Sequence, residues 1–159
     1  MREVKSMYPQ EIPGETIVSV DPGREKCGIA VITSNLELIL KEIVSRNEAA
    51  HEVLRLAQMY NAHKIIIGDR TGSEEFASDI MRVKRDTLFA AGSEQDPYPE
   101  IIFVDEHKSS MEGRHRYLLD NPPKGLGRLI PISLRTPGKP FDDYVAVILA
   151  ERFFQYGKS

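Results

Sequence analysis

Apolar and polar positions along this chain follow two rhythms, and the change from one to the other predicts where strands give way to helices. Residues 16–21 are a short β-branched run halted at Pro22-Gly23, which reads as a strand ended by a turn. Residues 28–33 give a second strand, and Ser34-Asn35 connects it tightly to a third over residues 36–44. These three make an antiparallel meander. Over residues 48–60 the period changes. Ala50, Val53, Leu54, Ala57 and Tyr60 recur at helical spacing, with His51, Glu52, Arg55 and Gln58 on the opposite side. Residues 63–69 are then a continuous apolar run, the pattern of a strand buried on both faces.

Thr71-Gly72-Ser73-Glu74 has the spacing of a capping box, and Phe76, Ile80, Val83, Thr87 and Leu88 continue a helical stripe behind it. A loop over residues 92–99 leads to a fifth strand at 100–105. Ser109-Ser110-Met111-Glu112 offers a second capping box for a helix running to about Leu119. Residues 121–139 hold four prolines and three glycines and read as a long loop, and residues 141–156 as a final helix. The order is three strands, helix, strand, helix, strand, helices. It predicts an α/β domain with a five-stranded mixed sheet, in which the antiparallel meander is joined by two parallel strands reached through crossover helices. That is the element order of the ribonuclease-H-like fold.

The chain has 159 residues, 41% of them apolar, enough for one core and too few for two. The expectation is a single domain over residues 16–157 behind a flexible terminus at 1–15. No apolar run approaches the roughly 18 residues of a membrane span, and the first residues lack the basic and apolar regions of a signal peptide. A cytoplasmic protein without membrane contact is expected. Cys27, the one cysteine, excludes an internal disulfide and a multi-cysteine zinc cage, and reads as a small buried side chain.

A net charge of −3 conceals an uneven distribution. Residues 107–139 carry seven Lys or Arg against Glu112 and Asp120, a local balance of +5 that leaves −8 for the remainder. Such a stretch is either a solvated face or a surface for an anionic partner.

Three acids fall at element ends. Asp21 closes the first strand, Glu106 follows the fifth, and Asp143 opens the last helix. With the first and fifth strands side by side and parallel, their carboxyl ends meet at one sheet edge. Ala146, Val147 and Ala150 line the helical face below Asp143, which lets that helix lie close on the sheet and turns Asp143 toward the other two. Carboxylates so gathered repel one another unless divalent cations share them. Oxygen ligands favour Mg²⁺ or Mn²⁺, and two such ions roughly 3.5–4 Å apart can activate water and stabilise a leaving oxygen in phosphodiester cleavage. Each acid also has a plainer reading. Asp21 also reads as a turn starter, Asp142 and Asp143 as helix caps, and Asp105-Glu106 as an ordinary strand end. Asp69, on the same edge, is either a fourth ligand or a surface acid paired with Arg70. His107 and His115 are either aids to water activation and phosphate contact or exposed helix residues.

Asp21-Pro22-Gly23 with Gly28-Ile29-Ala30-Val31, then Ile65-Ile66-Ile67-Gly68, Val104-Asp105-Glu106 and Asp143-Tyr144-Val145-Ala146, resembles the YqgF (RuvX) family and its relatives, the RuvC-type Holliday-junction resolvases. The resemblance spans residues 17–154. It implies that Asp21, Glu106 and Asp143 are metal-binding catalytic residues. It further implies a nuclease that trims the precursor of small-subunit ribosomal RNA, or a resolvase-like DNA nuclease. His107-Lys108-Ser109-Ser110 replaces the arginine and Leu-Thr/Ser-Thr stretch usual after Asp-Glu in YqgF, and Pro22 is closer to the resolvases, so the chain reads as a divergent member.

The basic stretch lies between the second and third acids, so Arg114, Arg116, Lys124, Arg128 and Arg135 are candidates to hold backbone phosphates of structured RNA or branched DNA. A monomer or a homodimer is expected, and a resolvase needs the symmetric homodimer. A third possibility is a nucleic-acid-binding or regulatory domain that keeps the fold without catalysis.

Overall fold

The computed structural model describes residues 14–92 and 98–156. The terminus expected to be flexible lies almost wholly outside the described residues. The elements in chain order are β1 (Thr16–Pro22), β2 (Lys26–Thr33), β3 (Leu38–Ser45), α1 (Arg46–Met59), β4 (Lys64–Gly68), α2 (Ser73–Ala91), β5 (Glu100–Val104), α3 (Ser109–Asp120) and α4 (Asp142–Tyr156). Two short 3-10 turns, Gly125–Leu129 and Ile132–Leu134, punctuate the long loop before α4.

The strands form one sheet in the order β3-β2-β1-β4-β5. β1, β2 and β3 pair antiparallel, while β4 runs parallel to both β1 and β5. This is the mixed α/β architecture expected from the order of elements. One detail differs: β4 separates β1 from β5, so the carboxyl ends of the first and fifth strands are not neighbours. The physical reason lies in Ile65, Ile66 and Ile67, all with no exposure. A strand apolar on both faces is best buried at the centre, leaving β5, with half-exposed Phe103, at the edge.

Side chains of β1 alternate between the two faces. Val18 and Val20 pack with Ile65, Ile67 and the apolar stripes of α1 and α2. Ile17 packs with Ile66 against Ala146, Val147, Ala150 and Phe154 of α4. Ser19 lies on the α4 side too, its hydroxyl donating to the Ala146 carbonyl over 2.5 Å. By the same period of two, Asp21 faces the start of α4. Cys27 is fully buried among the residues under α1, as its bland reading requires.

Neither expected capping box forms. The N-caps of α2 and α3 are Gly72 and Lys108, both left-handed and without a side-chain cap bond. Ser73 is buried and donates to the Gly68 carbonyl, and Ser109 is fully buried, so tertiary packing has claimed the hydroxyl-bearing positions. No helix among the described residues is long and apolar enough to cross a membrane.

Candidate active site

Asp21 sits between two glycines. Gly28 is its paired residue on β2, and on the β4 side Asp21 and Gly68 follow the last paired residues, Val20 and Ile67. Both glycines act by what they omit. A Cβ on Gly28 would overlap the Asp142 backbone, so its absence lets the first turn of α4 settle onto the sheet. A Cβ on Gly68 would overlap the Glu106 carboxylate, so its absence opens a path across the end of β4. Glu106 therefore reaches Asp21 over the top of the intervening strand. A backbone bond fixes its approach, the Glu106 amide donating to Asp69 Oδ1 over 3.1 Å.

Asp21 and Glu106 are almost removed from solvent, at 6% and 2% exposure. Burial, with the neighbouring charges of Glu106 and Asp142, pushes the Asp21 carboxyl up to about 7. Burial likewise raises Glu106, against the lowering pull of Arg70. The interaction between the two carboxyls raises Asp21 and lowers Glu106, so a proton on the pair resides on Asp21. When both are ionised, no hydrogen-bond donor reaches either Glu106 oxygen. Arg70 Nε lies 2.5 Å from Glu106 Oε2, but as an ion pair rather than an aligned hydrogen bond, and its side chain is half exposed. A second nitrogen of Arg70 donates to Ser110.

Asp143 is placed elsewhere. Its Oδ2 accepts from Lys41 Nζ of β3 over 2.6 Å, and the same ammonium lies 3.8 Å from the centre of the Tyr144 ring. Of the two acids opening α4, Asp142 is the one whose charge acts on Asp21. Among the described residues, no three His, Cys, Asp or Glu are already gathered into a metal cage. What the fold presents is a buried pair, Asp21 and Glu106, with the Asp142-Asp143 turn beside it.

No known family model matches the chain, and no curated protein is similar to it. Solved structures do share its fold. RuvC of Thermus thermophilus in complex with a Holliday junction substrate superposes with a TM-score of 0.53 at 15% identity, covering 91% of this chain and 95% of that one. Fowlpox virus resolvase in complex with Holliday junction DNA gives 0.53 at 14% identity, covering 91% and 99%. The fold is ribonuclease-H-like. At such identities the likeness extends to the fold alone.

Around this ribonuclease-H-like sheet the basic residues have unequal roles. Arg116 is committed to Glu151 of α4 by two bonds of 2.9 and 3.0 Å. Arg114 donates to the Arg135 carbonyl, while Arg135 donates to the carbonyls of Ile130 and Arg128, so both organise the loop. Arg128 and Lys124 are exposed, with Arg128 bonded to the Pro123 carbonyl. His107 lines a separate cavity of about 750 Å³ between β5 and α4, together with Asp105 and Arg152. Asp69 holds the Glu106 backbone and Arg70 pairs with Glu106, so the expected surface pair of Asp69 with Arg70 does not form. Gly68, Gly28, Arg70 and Lys41 escaped the sequence reading. The glycines were visible only as strand residues, and Arg70 only as a partner for the wrong acid.

Proposed function

We propose that the chain is a metal-dependent nuclease that hydrolyses phosphodiester bonds, with Asp21 and Glu106 as its central pair and an acid of the Asp142-Asp143 turn completing the set. One observation carries the reading: the Glu106 carboxylate is buried beside Asp21 with no hydrogen-bond donor on either oxygen. Arg70 offsets one buried carboxylate at most, and a second carboxylate against it adds repulsion, so packing alone gives no reason to gather both acids here. A divalent cation does. The donors are all oxygen, which fits Mg²⁺ or Mn²⁺.

Asp21 and Glu106 would hold the cation, with Asp142 the near third acid and Asp143 available on leaving Lys41. When bound, such ions supply Lewis acidity, lower the pKa of water and offset charge on the phosphate, the two-metal-ion chemistry of many nucleases. The chain's own groups prepare the site. Asp21 holds a proton near neutral pH in the cation-free state and so relieves the repulsion with Glu106. Asp69 fixes the Glu106 backbone, and the half-exposed guanidinium of Arg70, paired with Glu106, would supply donors to a phosphate oxygen.

Residues 121–141 contain no acid and present Lys124 and Arg128 to solvent, which supports contact with a nucleic-acid backbone. The motif resemblance favours structured RNA, as in processing of the small-subunit ribosomal RNA precursor. A second reading, a branched-DNA resolvase acting as a homodimer, draws support from the Holliday-junction complexes of the two proteins that share the fold. Cleavage of labelled structured RNAs and four-way DNA junctions with Mn²⁺ tests both. Cutting of RNA alone, lost in Asp21→Asn, supports the processing role. Junction cutting by a dimer supports the resolvase, and no cutting of either overturns the nuclease reading.

A further inference from the structure

Around the end of the sheet from the buried carboxylate pair, on the side of α1 and α2, lies a cleft that the sequence did not reveal. It has a volume of about 610 Å³, and Pro22, Arg24, Arg46, Arg70, Asp79 and Arg82 are among its walls. The volume falls in the ordinary range for ligand clefts, roughly 300–1,000 Å³. The walls come from the turn after Asp21, the start of α1 and the first turns of α2. The cleft adjoins the site through Arg70 at the end of the sheet. Pro22 directly follows Asp21, and Arg70 both lines the cleft and pairs with Glu106.

The arginines are not equivalent. Asp79 grips Arg46 at 2.7 Å and Arg82 at 2.9 Å, two cations on one carboxylate. Arg46 also lies against the ring of buried Phe76, its guanidinium carbon 4.8 Å from the ring centre, so it is rigid framework. The Arg82 side chain, 62% exposed, keeps donors free toward solvent. Arg24 is exposed, and no hydrogen bond or ion pair holds it among the described residues. Four arginines face Asp79 and Glu75, so positive charge remains in excess after internal pairing.

From this geometry we infer that the cleft seats the nucleic-acid strand flanking the cleaved bond, with Arg24 and Arg82 contacting backbone phosphates beside the Asp21-Glu106 pair. The inference rests on the nuclease reading and moves the main phosphate contacts away from residues 107–139, where Arg114, Arg116 and Arg135 are spent on the protein itself. The occupant is a polyanion because the free donors are guanidinium groups, which pair well with phosphate oxygens. It is a strand because Arg70 stands between the carboxylates and the cleft, so a chain with one phosphate at the pair carries its neighbours past Arg70 toward Arg24 and Arg82.

The test is binding of a fluorescent single-stranded oligonucleotide across a salt series, in an Asp21→Asn parent that cannot cleave. Releasing two phosphate contacts should lower the slope of log K against log salt by about 1.4, at roughly 0.7 per contact on single strands. The double variant Arg24→Ala/Arg82→Ala is expected to show that drop with at least tenfold weaker binding, while Arg85→Ala, on the solvent side of α2, retains the parent slope. Thermal melting checks that the double variant is folded, as expected for two exposed side chains. A parent that binds while the double variant binds equally, with the same slope, overturns the inference and leaves the nuclease reading standing. A parent that binds no single-stranded oligonucleotide overturns the inference, while the nuclease reading stands or falls on cleavage of structured RNAs and junctions. Displacement of the oligonucleotide by micromolar mononucleotide or inorganic phosphate would make the cleft a small-ligand site and overturn the assignment to a strand.

Discussion

Glu106 occupies the space that a side chain on Gly68 would fill. The relationship joins two strands that do not lie together, because only a residue without a Cβ lets the glutamate cross the end of β4 to Asp21. Gly68→Ala should therefore push the carboxylate out of the pair. Misplacement by about 1 Å can cost on the order of 100-fold in rate, and that loss is expected in Mn²⁺-dependent cleavage. Stability should fall by only about 1–3 kcal/mol, the usual cost of overpacking, as measured by urea unfolding.

The raised Asp21 carboxyl makes stability depend on pH in a defined direction. Its folded value of about 7 lies above the ordinary 3.8, so between those limits the folded chain binds the extra proton. Stability from this group is then full at low pH and declines as pH rises from about 4 to about 7, by about 2–4 kcal/mol. Glu106 is raised as well and acts in the same sense. Urea midpoints at pH 5 and pH 8 should show the decline in the wild type and a much flatter response in Asp21→Asn. Added Mn²⁺ should recover the wild type at pH 8 and leave the variant unchanged.

Much of this fold was legible because its elements are locally consistent. The isoleucine run of β4, the helical stripe of α1 and the proline-rich stretch before α4 each admit one reading. Strand order was less legible. Period and composition place Asp21 and Glu106 at strand ends but do not say which strand lies between them. The same limit hid the roles of Gly28 and Gly68, since a glycine in a strand pattern signals a close approach without naming what approaches. Charge misled where it was counted without partners. Arg116 belonged to the basic stretch by sequence, but Glu151, 35 positions later, takes both ends of its guanidinium.

That commitment is open to test. Arg116→Ala should lower stability by about 0.5–1 kcal/mol, as loss of a half-exposed bidentate pair between α3 and α4. Oligonucleotide affinity should stay within twofold of wild type. A variant that binds several-fold more weakly with unchanged stability would return Arg116 to the nucleic-acid surface.

The two acids opening α4 should separate in their influence on Asp21. Asp142 raises the Asp21 carboxyl by its charge, whereas Asp143 is neutralised by Lys41. Asp142→Asn should move the Asp21 titration down, and Asp143→Asn should shift it far less, as followed by carboxyl carbon NMR. Lys41→Met should release Asp143 toward the pair and tighten divalent-cation binding at a cost of about 1 kcal/mol in stability. Equal shifts from the two asparagine variants would refute the division between these acids.

Asp21 and Glu106 are expected to hold a divalent cation together, and calorimetric titration with Mn²⁺ at pH 7 decides whether they do. The account predicts binding by the wild type with proton release, seen as heat that varies with the ionisation enthalpy of the buffer, because the proton on the pair must leave Asp21. Binding should be lost in both Asp21→Asn and Glu106→Gln. A wild type that binds no Mn²⁺, or variants that bind it as tightly as the wild type, would contradict the account.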